Sequence, residues 1–108
     1  MGDHYLLNLY GCSSVCLNDE HFLIDLLENA AEASGAGVVE TVFKKFSPQG
    51  VTVLTLLEES HISIHTWPEM GEAAAVIFTC GNCMPKIGVD IIVQQLNPKT
   101  HTLQRVSR

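Results

Sequence analysis

Apolar positions along the chain switch between two spacings. Tyr5 to Tyr10 reads YLLNLY, short, apolar and aromatic, and Gly11 closes it, which predicts a strand. Further on, Phe22, Leu23, Leu26, Leu27, Ala30 and Ala31 recur at three- and four-residue steps, the stripe of a helix that buries one face. Asn18 is expected to cap this helix, Asp19 and Glu20 suit the positive end of its dipole, and Gly35 is its stop. Val38 to Phe46 is rich in β-branched and aromatic residues, Ser47-Pro48-Gln49-Gly50 concentrates turn formers, and Val51 to Leu57 returns, so a hairpin is expected. The near-continuous apolar character of Val51 to Leu57 predicts cover on both faces, one by a helix and one by a partner subunit. Ile62 to Trp67 alternates, with Ile62, Ile64 and Thr66 on one side and Ser63, His65 and Trp67 on the other. Beyond Pro68-Glu69-Met70-Gly71, Ala73 to Cys80 predicts another strand and Met84 to Leu96 a second helix with Pro85 in its first turn. Gly88 weakens that helix by about 1 kcal/mol relative to Ala. Asn97-Pro98 ends it, and Thr102 to Val106 predicts a last strand.

Written as β-α-β-β-β-α-β, this order predicts an α+β fold: a two-layer α/β sandwich whose antiparallel sheet carries two helices on one face. The second sheet face is then left mainly apolar, which points to a dimer. At 108 residues, with 46% apolar and 17% charged, the chain is expected to form a single domain over 1–108, folded throughout. No apolar run approaches the roughly 20 residues of a membrane span, and Met1 to Tyr10 lacks a basic region followed by a long hydrophobic one. A cytoplasmic protein with no membrane partner is expected. Leu6 stands where a myristoylation signal wants Ser or Thr. A net charge of −6, with Lys44-Lys45 the one basic pair, argues against a nucleic-acid partner.

Cys12 and Cys16 are spaced C-x3-C, Cys80 and Cys83 C-x2-C. The second spacing is a zinc half-site. The first leads into a capped helix, and no further cysteine or clear histidine pair supports it, so no metal is expected. Cys80-Gly81-Asn82-Cys83 likewise lacks the βαβ context of a redox motif.

The most specific segment is Glu58-Glu59-Ser60-His61-Ile62-Ser63-Ile64-His65-Thr66-Trp67-Pro68-Glu69. It resembles the signature of the small prokaryotic S-adenosylmethionine decarboxylases, a pyruvoyl-dependent family. There an E-S-H-[aliphatic]-S-[aliphatic]-H-T-[aromatic]-P-E run surrounds a self-cleavage bond. Leu9-Tyr10-Gly11-Cys12, Lys45-Phe46-Ser47-Pro48-Gln49-Gly50 and Phe78-Thr79-Cys80-Gly81 resemble further landmarks of that family, in its order and at its spacing. The resemblance covers nearly the whole chain.

Decarboxylating an α-amino acid leaves an electron pair on the α-carbon, so an electron sink must be attached covalently. A pyruvoyl carbonyl is such a sink, and the chemistry of a serine after a peptide carbonyl can make one. Ser60 Oγ attacks the Glu59 carbonyl carbon and turns amide into ester, with strain and oxyanion stabilisation each worth a few kcal/mol. Loss of the Ser60 α-proton expels Glu59 as a carboxylate, and the dehydroalanine left behind tautomerises and hydrolyses to pyruvoyl. The resemblance therefore implies a proenzyme that splits into 1–59, the β chain, and 60–108, the α chain with an N-terminal pyruvoyl group derived from Ser60.

It also implies roles residue by residue. His65 is the acid/base group of processing, with a hydroxyl partner at position 52. Cys80 is the donor that protonates the substrate α-carbon, a task that needs the thiol in its protonated form. Phe46 and Trp67 stack on adenine or face the sulfonium, and Glu69 accepts the two ribose hydroxyls. Each site is implied to lie at the interface of a homodimer of processed protomers. Three positions depart from the family's common residues: Thr52 stands for serine, Glu58 for a small residue, and Lys44 for histidine. Thr52 keeps the hydroxyl but adds a methyl that restricts its rotamer, which predicts slower processing. The implied reaction is decarboxylation of S-adenosylmethionine, supplying the aminopropyl donor for spermidine synthesis. A pyruvoyl-dependent arginine or ornithine decarboxylase, and an unprocessed regulatory or binding homologue, are the alternatives.

Overall fold

In the computed structural model, which describes residues 1–79 and 81–108, alternation and helical spacing translate into six strands and three helices. Strand β1 spans Asp3–Tyr10. A one-turn helix α1 (Ser14–Leu17) and the long helix α2 (Glu20–Ala33) follow. Strands β2 (Gly37–Lys45), β3 (Val51–Glu58), β4 (Ser60–Trp67) and β5 (Glu72–Thr79) come next, with a 3-10 turn at Pro68–Met70 before β5. Helix α3 (Pro85–Leu96) and strand β6 (Thr100–Ser107) complete the order. The string β-α-β-β-β-α-β is thus one strand short, whereas the segments read one by one, Val38 to Phe46, Val51 to Leu57, Ile62 to Trp67 and Ala73 to Cys80, already number the four strands that stand between the long helices. Cys80, expected at the end of β5, lies outside the described residues.

All pairings are antiparallel and the sheet order is β2-β3-β4-β5-β1-β6. The meander β2 to β5 forms by short connections, and β1 inserts between β5 and β6. Both long helices cover one face. Leu7 and Leu9 of β1, Val51 and Val53 of β3, and Ile62 and Ile64 of β4 are buried there against Leu23, Leu26, Leu27 and Ala30 of α2 and Ile92 of α3. The opposite face is open: Leu54 is 40% and Leu56 46% exposed, so one side of β3 meets the helices and the other is bare within one chain.

Local chemistry explains two departures from expectation. Asp19, not Asn18, caps α2, its Oδ1 accepting the Phe22 N–H at 3.1 Å. Asn18 ends α1, and its Oδ1 accepts the Gly50 N–H at 3.0 Å, tying the helical segment to the β2–β3 turn. Thr66, buried on β4, reinforces this corner by donating to the Leu17 carbonyl at 2.7 Å and accepting from the Val51 N–H at 3.0 Å. Gly88 has a packing reason: a Cβ there would stand 2.5 Å from Ser34 Oγ and 3.1 Å from the Ala30 carbonyl, so α3 lies against α2 only because the position is bare.

Candidate active site

The register of β3 and β4 places Thr52 opposite His65, on the sheet face that carries no helix. There the Thr52 hydroxyl meets His65 Nδ1 at 2.6 Å, a short contact that fixes the ring and leaves Nε2 as the nitrogen for proton exchange. Phe46, at the end of the β2–β3 hairpin, stands with its ring centroid 5.9 Å from that of His65, and Trp67 meets the imidazole edge-on at 4.5 Å. Both aromatic rings are partly exposed, at 41% and 37%. Two hollows adjoin this cluster. One of about 360 Å³ is lined by Val42, Phe43, Phe46, Thr52 and Leu54. A larger one, about 610 Å³, is lined by Ser14, Val15, Asn18, Gln49, Pro68 and Glu69, which puts Glu69 just past Trp67 on the 3-10 turn. Four of the implied site residues, Thr52, His65, Phe46 and Trp67, are therefore brought together, and Glu69 follows at the cluster's edge.

Ser60 is not among them. It opens β4, paired with Leu57 on one side and Thr79 on the other, after a tight turn through Glu58 and Glu59. His65 lies at the fifth position beyond it, roughly 16 Å along an extended strand. Ser60 is half-buried and has φ +122°, a backbone conformation that L side chains rarely adopt; the other described non-glycine residue with positive φ is Asn97. Glu59 is exposed beside it. The cleavage residues thus occupy one end of β4, while the histidine and the aromatic pair occupy the other.

The Ser60 end carries groups that the sequence did not single out. On the helix-free face His4 of β1 stacks on Phe78 of β5 with centroids 4.8 Å apart, and His61 meets the same ring edge-on at 6.0 Å. Burial, with the Arg108 guanidinium and His61 nearby, pushes the His4 pKa below its ordinary value. Thr79, opposite Ser60, is buried. Among the cysteines, burial and the neighbouring Cys16 raise the Cys12 thiol pKa. No group of three or more potential metal ligands converges among the described residues. Cys80 lies outside them.

A six-stranded antiparallel sheet with helices on one face and a hydroxyl–histidine–aromatic cluster on the other defines an α+β sandwich with a polar site on its bare side. The family model described as S-adenosylmethionine decarboxylase matches residues 3–108. The chain belongs to the S-adenosylmethionine decarboxylase family. It is 46% identical over 109 aligned positions to the S-adenosylmethionine decarboxylase proenzyme of Prochlorococcus marinus strain MIT 9313, covering 100% of this chain and 87% of that protein. It is 44% identical over 109 positions to the proenzyme of the same name from Caldanaerobacter subterraneus subsp. tengcongensis, covering 100% and 88%. The crystal structure of the adenosylmethionine decarboxylase from Aquifex aeolicus VF5 superposes with a TM-score of 0.92 at 36% identity, covering 100% of this chain and 90% of that one.

Proposed function

We propose that the chain cuts itself between Glu59 and Ser60, converts Ser60 into a pyruvoyl group, and decarboxylates S-adenosylmethionine, the step that supplies an aminopropyl donor for spermidine synthesis. The observation that carries this reading is the φ of +122° at Ser60. A serine held in such a conformation stores about 1–3 kcal/mol at the residue whose hydroxyl must displace its own amide nitrogen.

The residues present fit the group. Ser60 offers a hydroxyl directly after the Glu59 carbonyl, is half-buried, and faces across the sheet a residue with a buried hydroxyl that has no partner among the described residues. A pyruvoyl ketone supplies the electron sink that decarboxylation of an amino acid needs. The remaining tasks fall to this chain's own groups. Ser60 Oγ forms its bond to the Glu59 carbonyl carbon as the C–N bond breaks, and Glu59 leaves as a carboxylate once the Ser60 α-proton is removed; water then enters at position 60 as its nitrogen departs as ammonia, giving fragments 1–59 and 60–108. His65, its Nδ1 engaged by Thr52, moves protons through Nε2. Phe46 and Trp67 offer faces for an adenine or a sulfonium, Glu69 accepts ribose hydroxyls, and Cys80 donates the proton that completes turnover.

Two chains are needed for these groups to act together. The roughly 16 Å between Ser60 and His65 within one strand separates the cleavage point from its acid/base group. A homodimer whose partner covers the bare sheet face, where Leu54, Leu56 and Val42 are exposed, would bring one chain's Ser60 to the other's His65. The free thiols of Cys12, Cys16 and Cys83 accord with a reducing cytoplasm, and no helix among the described residues is long and apolar enough to cross a membrane.

Denaturing mass spectrometry of the purified protein tests the reading: it should give residues 1–59 and 60–108, the second blocked at its N-terminus and reactive toward carbonyl reagents. A chain that stays whole defeats it. Labelled carbon dioxide should be released from carboxyl-labelled S-adenosylmethionine, and release from arginine or ornithine instead would reassign the substrate.

A further inference from the structure

Thr79 ends β5 and is 2% exposed. Its Oγ1 is buried and makes no hydrogen bond, the one buried side-chain polar atom in that state among the described residues. The other buried hydroxyls are all engaged: Ser34 donates to the Ala30 carbonyl, Thr55 meets Thr41, and Thr66 bridges Leu17 and Val51. A desolvated hydroxyl without a partner destabilises the fold that holds it, and a valine of the same shape would avoid that cost. The hydroxyl is therefore of use in a state of the molecule other than the uncut precursor.

Its place in the sheet says which state. Thr79 is the register partner of Ser60, and directly opposed residues of antiparallel strands stand about 5 Å apart, within reach of one hydrogen bond. Conversion of Ser60 removes a hydroxyl that both donates and accepts, makes the α-carbon trigonal, and leaves there a carbonyl oxygen that only accepts. A buried donor with no partner faces a half-buried position where an acceptor is created. A cavity of about 200 Å³, lined by Asp3, Thr79, Gly81 and Cys83 among others, opens on the Thr79 side of this pair.

We propose that Thr79 donates a hydrogen bond to the ketone oxygen formed at position 60, holding the new group in place and polarising it toward attack by an amine. This rests on the self-cleavage reading above. It gives Thr79 a role on the reactive carbonyl, separate from the His65 and Thr52 pair at the far end of β4.

The test compares Thr79→Val and Thr79→Ser with the wild-type protein. Each is first allowed to mature and checked by mass spectrometry, then treated with phenylhydrazine, which condenses with the ketone and releases water to give a chromophoric hydrazone. Thr79→Val should cleave fully and, in a Ser60→Ala background that keeps the chain whole, melt no lower than Ser60→Ala alone. Its ketone should react at least about ten-fold more slowly, a smaller loss than the roughly hundred- to thousand-fold that removing one donor from a catalytic oxyanion hole costs. Thr79→Ser should restore the wild-type rate. Equal hydrazone rates for Thr79→Val and wild type would overturn the proposal. So would a lowered melting temperature, which would mean the hydroxyl was satisfied structurally, and so would a Thr79→Val chain that folds but stays whole, which would assign the hydroxyl to cleavage instead. A wild-type chain that never matures sinks the parent reading first; a wild type that matures beside an unaltered Thr79→Val sinks this one alone.

Discussion

At position 52 the chain carries a threonine where the resemblance leads one to expect a serine, and the structure shows what its hydroxyl touches. The Thr52 hydroxyl reaches His65 Nδ1 at 2.6 Å, so the added methyl does not keep the hydroxyl from the imidazole. Whether the added methyl slows processing, as expected from the sequence, is decided by comparing the rates of variants. Thr52→Ser should change the rate of self-cleavage by no more than about two-fold, because the hydroxyl persists and only a stiffening methyl is lost. Thr52→Val, which removes the hydroxyl and frees the imidazole, should slow cleavage by about ten- to a hundred-fold, the scale of a lost partner that orients an acid/base group. A gel time course of fragment formation in freshly synthesised protein distinguishes the two. Residues of this kind were legible in the sequence, since alternation along Ile62 to Trp67 already put His65 and Trp67 on one face. Thr79 was not, because its lack of a partner is a property of the folded neighbourhood and leaves no mark in the local pattern. Asn18 was misread for a third reason: it and Asp19 are both good cap formers, and only the position of Gly50 decides between them.

Among the elements, helix α3 is where sequence propensity and tertiary packing give opposite answers. Propensity alone says that replacing Gly88 with Ala gains about 1 kcal/mol. Packing says the reverse, since the new Cβ would lie 2.5 Å from Ser34 Oγ and 3.1 Å from the Ala30 carbonyl. Overpacking of a closed interface costs about 1–3 kcal/mol and exceeds the propensity gain, so Gly88→Ala should lower the stability of the fold. Urea unfolding in a Ser60→Ala background, where the chain remains one piece, measures this. Adding Ser34→Ala removes the nearer clash and should recover part of the loss, leaving the Ala30 carbonyl as the remainder. The long elements themselves were readable because their periods are clean. What the pattern missed was a one-turn helix at Ser14–Leu17, too short to show a period, and the helical form of the turn at Pro68–Met70 that divides β4 from β5.

For the whole molecule, the decisive quantity is the length of β4. A strand that carries Ser60 at its first residue and His65 at the fifth position beyond holds them roughly 16 Å apart however the rest of the chain is packed. If both act on one substrate, each working site takes Ser60 from one protomer and His65 from the other. A mixture of two defective chains exposes this arrangement. A Ser60→Ala chain can never mature, and a His65→Ala chain alone should stay largely whole, because its partner also lacks the imidazole. In a hybrid dimer, one site pairs the two defects and the other pairs an intact Ser60, on the His65→Ala chain, with an intact His65, on the Ser60→Ala chain. Co-expression with distinguishable tags should therefore leave the Ser60→Ala chain uncut, restore cleavage of its His65→Ala partner, and return decarboxylation to about half the wild-type rate per dimer. Sites built within one chain would show no recovery in either measurement, since every site would then retain one defect.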